Sequence, residues 1–341
     1  MNQASKNILV TGGAGYIGSH CCKALSKAGY TPVAYDNLSR GFERLVSWGP
    51  FEYGDIGDRK RLAEVFNHYK PAAVIHFAAY AYIGESNSEP LTYYRNNVAD
   101  TITLLEAVKA ASIQHFVFSS SCAVYGVASA LPLNEHVLCR PINTYGRCKL
   151  MVENILRDCD RDFGLKSLSL RYFNAAGADP DGQTGELHDP EFHVIPLTLM
   201  AAANDIPCFN IFGDDYETPD GSAIRDFIHV TDLANAHVAG LRYILDGNDT
   251  NVMNLGSGTG YSVKEIIRTT ESITGNVVPT QILPRRPGDP PELYADTELA
   301  KSTLGFTPEF SDITKIIRDA WSWYIAQSNS PAIKKTKQDH L

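Results

Sequence analysis

The chain has 341 residues, 44% hydrophobic and 20% charged, with a formal charge of −9. These proportions exclude a disordered or fibrous chain, and an acidic balance without a clustered Lys/Arg face excludes a nucleic-acid surface, which needs a basic footprint. No apolar run approaches the roughly 18 residues of a membrane span, and the length predicts two lobes rather than one. Seven cysteines without a C-x-x-C pair, and a first strand that begins almost at once, point to the cytoplasm.

Short apolar runs at 7–11, 32–36, 73–77, 115–119 and 167–172 read as strands. Between them lie helices centred on Cys22, Val65, Leu104 and Ile155, with apolar residues at spacings of three and four, as in Leu104, Leu105 and Val108. That alternation predicts an α/β fold, a Rossmann-type doubly wound parallel sheet over residues 1–176. From Gly177 the composition shifts to Pro, Gly, Asp and His, and 178–185 and 213–221 read as loops. A helix at 194–204, a pattern at 230–245, a strand at 252–255 and helices at 263–273 and 313–327 complete a second, smaller α/β substrate lobe. Its expected extent is 177–224 and 261–341, with 225–260 returning to the first domain. The basic run Lys334, Lys335 and Lys337 reads as a solvated tail.

Gly12-Gly-Ala-Gly15-Tyr-Ile-Gly18 follows the first strand and opens a helix. In such a turn the first glycine permits the bend, the second lets backbone N–H groups approach a pyrophosphate, and the third lets helix and sheet pack closely; the helix dipole favours the anion. A glycine pattern alone is weak evidence. Here the second strand ends on Asp36, about 20 residues further on, where a carboxylate can accept from an adenosine ribose. Arg40 is a candidate for a 2′-phosphate, but Asp36 repels that group, so NAD is expected rather than NADP.

Tyr145 and Lys149 fall four residues apart on one helix and share a face. A phenol with a pKa near 10 is a poor base at neutral pH, whereas a neighbouring cation favours the phenolate and makes it a proton acceptor. In a chain with 17 tyrosines the spacing alone is cheap. Ser121, in Phe118-Ser-Ser-Ser121-Cys-Ala-Val-Tyr125-Gly126 at the end of the fifth strand, supplies the partner: a hydroxyl able to bridge Tyr145 and a substrate oxygen.

The first half resembles the extended short-chain dehydrogenase/reductase family, and the resemblance to its UDP-glucose 4-epimerase branch extends over nearly the whole chain. It is carried by the glycine motif, Asp36-Asn37-Leu38, His76-Phe77-Ala78-Ala79, Gly84-Glu85-Ser86, Asn96-Asn97-Val98, the Ser121/Tyr145/Lys149 set, Arg171-Tyr-Phe-Asn174, Arg225-Asp-Phe-Ile-His229-Val-Thr-Asp232 and Arg285-Arg286-Pro-Gly-Asp289. The resemblance implies NAD contacts from Gly12, Gly15, Tyr16, Ile17, Gly18, Asp36, Asn37, Asp55, Ile56, Phe77, Ala78, Ala79, Asn96, Ser119, Tyr145, Lys149 and Tyr172. It implies substrate contacts from Ser121, Tyr145, Asn174, His193, Val194, Phe212, Arg225, Arg286, Asp289 and Leu293. The implied reaction is transient oxidation at C4 of UDP-glucose or UDP-galactose, with sugar rotation and hydride return. The resemblance also implies a homodimer through 93–111 and 147–163.

A 4,6-dehydratase would need an acid/base pair before the Val-Tyr-Gly, where this chain has Ser121-Cys122-Ala123. A net dehydrogenase would use the same Tyr and Lys, but the motifs of the second lobe favour an epimerase. A non-catalytic NAD-binding protein would be expected to lose Ser121, Tyr145 or Lys149, and all three are present. His188, Asp189, Glu191 and His193 offer metal-ligand chemistry, but Pro190 interrupts the stretch and no regular helical His pair is present, so no metal is expected. Two positions depart from the family: Ala81 stands where a lysine is usual near the nicotinamide, and Phe192-His193 replaces an Asn pair. Leu293 stands at the sugar-size gate with intermediate bulk, which keeps N-acetylhexosamines and pentoses as alternatives.

Overall fold

The computed structural model describes residues 6–127, 130–286 and 288–328; the basic run at 334–337 lies outside them. In chain order the first part comprises β1 (Asn7–Thr11), α1 (Tyr16–Lys27), β2 (Thr31–Asp36), β3 (Phe51–Tyr53), α2 (Arg59–Tyr69), β4 (Ala73–His76), α3 (Ile83–Ser88), α4 (Pro90–Tyr94), α5 (Asp100–Ala110), β5 (His115–Ser121), α6 (Thr144–Phe163), β6 (Lys166–Tyr172) and β7 (Asn174–Ala176). The rest comprises α7 (Val194–Ala202), β8 (Phe209–Phe212), β9 (Ile224–His229), α8 (Val230–Leu245), β10 (Asn251–Leu255), β11 (Gly260–Ser262), α9 (Val263–Thr274), β12 (Thr280–Leu283), β13 (Glu292–Leu293), α10 (Glu298–Leu304) and α11 (Ile313–Ser328).

Seven parallel strands form one sheet in the order β10-β6-β5-β4-β1-β2-β3. The chain starts in the middle, winds outward through β2 and β3, then crosses back to β4 beside β1. That reversal opens a crevice at the carboxyl ends of β1 and β4, where such sheets bind ligands. β1, β2 and β4 are short apolar runs because both faces are covered, whereas β6 alternates Ser167, Leu168, Ser169 and Leu170. Ile8, Val10, Ile75 and Leu168 pack with Cys21, Leu25, Leu233 and Leu241 of α1 and α8. Leu9, Val33, Val74 and Phe116 pack with Leu62, Leu104, Val108 and Val152 of α2, α5 and α6. Each such fully buried Leu, Ile or Val contributes about 1.5–3 kcal/mol.

The second lobe is built on β9, which pairs with β7, β11 and β13, and on a two-stranded parallel sheet of β8 and β12. Ile195, Leu199, Ile266, Ile316 and Ile317 close its core. Residues 225–260 are shared between the parts: β9 belongs to the small sheet, α8 covers the large sheet against α1, and β10 forms the large sheet's edge. Lys23 of α1 ties the lobes together, donating to Asp179 and Asp181 at 2.6 and 2.7 Å.

Candidate active site

β1 ends at Thr11 and the glycine turn follows at once. Gly12 has a φ of 74°, and a Cβ there would lie 2.7 Å from the Ala78 nitrogen, so the turn and the segment after β4 meet backbone to backbone. A Cβ on Gly18 would run into the Gly12 carbonyl. Gly15 caps α1 without a side-chain acceptor, and the first turn holds no acidic residue. Its N–H groups therefore present an uncompensated positive helix end to the cleft, a place for a phosphate. Asp36 closes β2 with its carboxylate accepting from Ala14 N at 3.1 Å and Leu38 N at 2.8 Å. Arg40 is held by Glu85 at 2.7 Å and lies over the Tyr80 ring. Arg40 is thus already neutralised, which suits a 2′-hydroxyl rather than a 2′-phosphate.

A π turn, Arg95–Ala99, separates α4 from α5. It sends Asn97 inward, where its side chain grips the Tyr80 N–H and C=O at 2.9 Å each, and leaves Asn96 on the cleft. The sequence gives no periodic sign of this turn.

β5 continues through Ser121, two residues further than expected, so Ser121 is the strand's last residue. After a long connection α6 begins at Thr144, capped by the Asn143 side chain, which accepts from Gly146 N at 2.7 Å. Strand end and helix start bring Ser121, Tyr145 and Lys149 to one wall. The Lys149 ammonium lies 5.6 Å from the centre of the Tyr145 ring and donates to the Ser119 carbonyl at 2.6 Å. Tyr172 and Ser119 hydroxyls are 2.6 Å apart beside them.

The electrostatics correct one expectation. Burial pushes the Tyr145 phenol well above its ordinary value; neighbouring Tyr172 adds to this, and hydrogen bonding with Ser121 only partly opposes it. Lys149 is itself pushed down to about 8, because burial disfavours its charge more than Cys148 and Glu153 favour it. The ammonium spends its hydrogen bond on a carbonyl rather than the phenol, so these residues alone keep Tyr145 protonated. A sign follows for stability. The unfolded chain holds this proton up to about 10.5 and the folded one releases it at about 8, so stability rises with pH across that interval. Between about pH 7.5 and 9.5 the cofactor-free protein should gain about 2 kcal/mol relative to Lys149→Met, read from urea midpoints. Parallel pH dependence in the two proteins would mean that Lys149 keeps its proton throughout.

One cleft of about 1070 Å³ joins these groups to the second lobe. Every residue expected to contact cofactor or substrate lines it except Asp55, which sits in a smaller adjoining pocket with Tyr80 and Asn96. Asp55 accepts from Asn37 Nδ2 and Gly57 N, both at 2.7 Å. Ile56 lines the main cleft. At the far end the Arg286 guanidinium stacks on Phe212 at 3.9 Å, and Arg225 donates to Asp289 at 2.5 Å. Asn174, on β7, donates to the Asp226 carbonyl at 2.8 Å. Leu293, on β13, packs against the cluster of Val124, Tyr125 and Phe173.

The donor set fits NAD: a bare helix end, a carboxylate at the end of β2, and glycines placed where a Cβ would collide. A match to the model of the NAD dependent epimerase/dehydratase family spans residues 8–256. The chain belongs to that family. It is 50% identical over 326 residues to a UDP-glucose 4-epimerase of Rhizobium leguminosarum bv. trifolii, covering 96% of this chain and 99% of the relative. The crystal structure of UDP-glucose 4-epimerase from Brucella ovis in complex with NAD superposes with a TM-score of 0.91 at 52% identity, covering 93% and 97% of the two chains. A Stenotrophomonas maltophila UDP-glucose-4-epimerase with bound NAD and formylated UDP-arabinopyranose superposes with a TM-score of 0.91 at 41% identity, covering 94% and 98%.

Elsewhere along the cleft the structure adds Tyr82 and Glu186, which the sequence reading left out, to Phe192, His188 and Glu191, which it named. Tyr82 and Phe192 stack across the cleft with ring centres 4.3 Å apart. Glu186, His188 and Glu191 join His193 in a tight quartet. His193 Nδ1 lies 2.6 Å from Glu186 and 2.9 Å from Glu191, and its main-chain N–H donates to Glu191 at 2.9 Å. The main-chain N–H is therefore taken up within the loop, leaving ring Nε2 for the substrate contact expected of His193. Burial alone would push His193 down, but Glu186 and Glu191 raise it to about 10. His76 has both ring nitrogens engaged, by Thr11 at 2.7 Å and Thr101 at 3.1 Å, and is structural.

Proposed function

We propose that this protein is a UDP-glucose 4-epimerase, interconverting UDP-glucose and UDP-galactose by oxidation and re-reduction at C4. The observation that carries the reading is that Ser121, Tyr145 and Lys149 line one cleft with the cofactor-half residues and with Phe212, Arg225 and Arg286. NAD, when bound, supplies the oxidant and then the reductant at C4, together with a positive nicotinium charge beside Tyr145. Tyr145 takes the 4-hydroxyl proton as C4 is oxidised and returns it when the opposite face is reduced. Ser121 holds the sugar oxygen in line with the phenol. Lys149, fixed on the Ser119 carbonyl, adds positive charge beneath the ring and orients the cofactor ribose.

The uridine diphosphate stays anchored while the sugar turns. Phe212 packs on the uracil, Arg225 and Arg286 hold the diphosphate in the bidentate manner suited to guanidinium, and Asp289 takes the ribose. Asn174 and Val194 complete the anchor, while Leu293 and His193 Nε2 bound the sugar pocket. Residues 1–176, with α8 and β10 returning, form the NAD domain, and the rest, β9 included, the sugar lobe. Two copies pair through α5 and α6, whose outer faces leave Ile102 and Met151 exposed. The seven cysteines are free, in keeping with a cytoplasmic setting. No helix of the described residues is long and apolar enough to cross a membrane.

The test is incubation with UDP-galactose and no added nucleotide, followed by chromatography of the UDP-sugars and absorbance of reduced nicotinamide. UDP-glucose should form without net NADH. Turnover of only UDP-N-acetylgalactosamine or a UDP-pentose would keep the mechanism and replace the substrate. A 4-keto-6-deoxy product or lasting NADH would end the epimerase reading.

A further inference from the structure

The quartet at the lip of the cleft has chemistry that the epimerase reaction does not use. Glu186, His188, Glu191 and His193 each offer one ligand atom, and all four atoms lie within 4.8 Å of one another. The loop that carries them is fixed at both ends. At its start Gly185 packs against the Trp323 ring, where a Cβ would not fit, and Trp323 Nε1 donates to the Glu186 carbonyl at 3.0 Å. At its end His193 is the N-cap residue of α7. Between those points the chain doubles back, so four side chains converge without the helical His pair that metal sites of this composition often use.

The geometry points to a binding site for a divalent transition cation of the zinc class, held by Glu186, His188, Glu191 and His193. Zinc bound to imidazole nitrogen and carboxylate oxygen at about 2.0–2.2 Å in a tetrahedron sets its ligand atoms roughly 3.3–3.5 Å apart. The separations here bracket that spacing: 2.6 and 2.9 Å from His193 Nδ1 to Glu186 and Glu191, and 3.0 and 3.8 Å from His188 Nδ1 to the same two residues. Two carboxylates and two neutral imidazoles sum to −2, so a dication leaves the cluster neutral; without one, neutrality takes two protons. The Glu186 side chain is 8% exposed and that of His193 is 40%, which leaves a route of entry from the cleft. Asp189, which the sequence places in the same run, is exposed and lies outside the group. With four protein ligands the site is closed, and its role is structural: it fixes the loop that presents Phe192 and the Nε2 edge of His193 to the cleft.

The experiment uses the untagged full chain with its cofactor, stripped of metals by chelator and titrated with Co²⁺ and then Zn²⁺. One equivalent of Co²⁺ should bind with a dissociation constant at or below about 1 μM, giving the visible bands of a tetrahedral site and no thiolate charge-transfer band. Zn²⁺ should displace it. Asp189→Asn should bind Co²⁺ like the parent, and Glu186→Gln and His188→Asn should bind at least about 100-fold more weakly. Circular dichroism and nucleotide content show that each variant is folded. Failure of the parent chain to take up Co²⁺ or Zn²⁺, or equal uptake by the folded His188→Asn protein, overturns the site and leaves a proton-bridged ion cluster.

Discussion

Tyr145→Phe is expected to lower kcat for UDP-galactose by about 10²–10⁴-fold, the usual worth of a positioned proton-transfer group. KM should change little, because Phe212, Arg225 and Arg286 stand at the far end of the cleft and do not touch the phenol. The ring is 7% exposed and packs with Tyr93 and Cys148, contacts that phenylalanine keeps, so folding and retained nucleotide should survive. Only the hydroxyl and its proton are lost. The split between kcat and KM is the informative readout. A variant retaining more than about a tenth of the parent rate would show that another group carries the proton. Equal losses in nucleotide content and rate would instead make Tyr145 a cofactor anchor.

The cofactor half of this site was legible because local chemistry dictates it. Gly12 and Gly18 are required by close backbone approach, Asp36 by the end of a strand, and Tyr145 with Lys149 by one turn of helix, all within short stretches of sequence. The covered sheet is equally local, since β1, β2 and β4 are short apolar runs and its helices repeat at three and four. What escaped notice depends on contacts between distant segments. β8 and β12 pair across about 70 residues, β9 collects three short strands from 174 to 293, and none of these runs is long enough to show a period. Tyr82 meets Phe192 from the other lobe. The quartet is legible only in part: the run offers His188, Glu191 and His193 with Asp189, and a helical template for metal ligands cannot show that a loop folding back on itself brings in Glu186 instead. The phenol's raised pKa was also missed, because spacing shows that a cation is near but not how dry the site is.

Glu153→Gln is expected to cost about 3–5 kcal/mol of stability, because it leaves a buried guanidinium without its counter-charge. Glu153 is 1% exposed and receives Arg171 Nε at 2.9 Å and Nη2 at 2.6 Å, a bidentate pair linking α6 to β6. Arg171 Nη1 continues to the Tyr125 hydroxyl at 3.0 Å, which donates to Asn254 of β10 at 2.6 Å. Arg157 reaches Glu153 only at 3.8 Å from a half-exposed position and cannot replace the main pair. The same carboxylate accepts from Ser120 at 2.6 Å, next to Ser121, so one buried charge fixes both the strand that bears Ser121 and the helix that bears Tyr145 and Lys149. The loss should appear as a lower urea midpoint at unchanged slope. Activity should fall too, even where the variant is fully folded, because small shifts between Ser121 and Tyr145 spoil proton transfer. Replacing both partners by apolar residues, Glu153→Leu with Arg171→Met, should recover much of the stability, since burying two charges is itself costly. It should not recover the rate, because Ser120 then has no carboxylate to hold it. If the double variant regained full activity, the pair would be a packing element alone; if the single variant unfolded at the parent's midpoint, the charge would not be holding helix to strand at all.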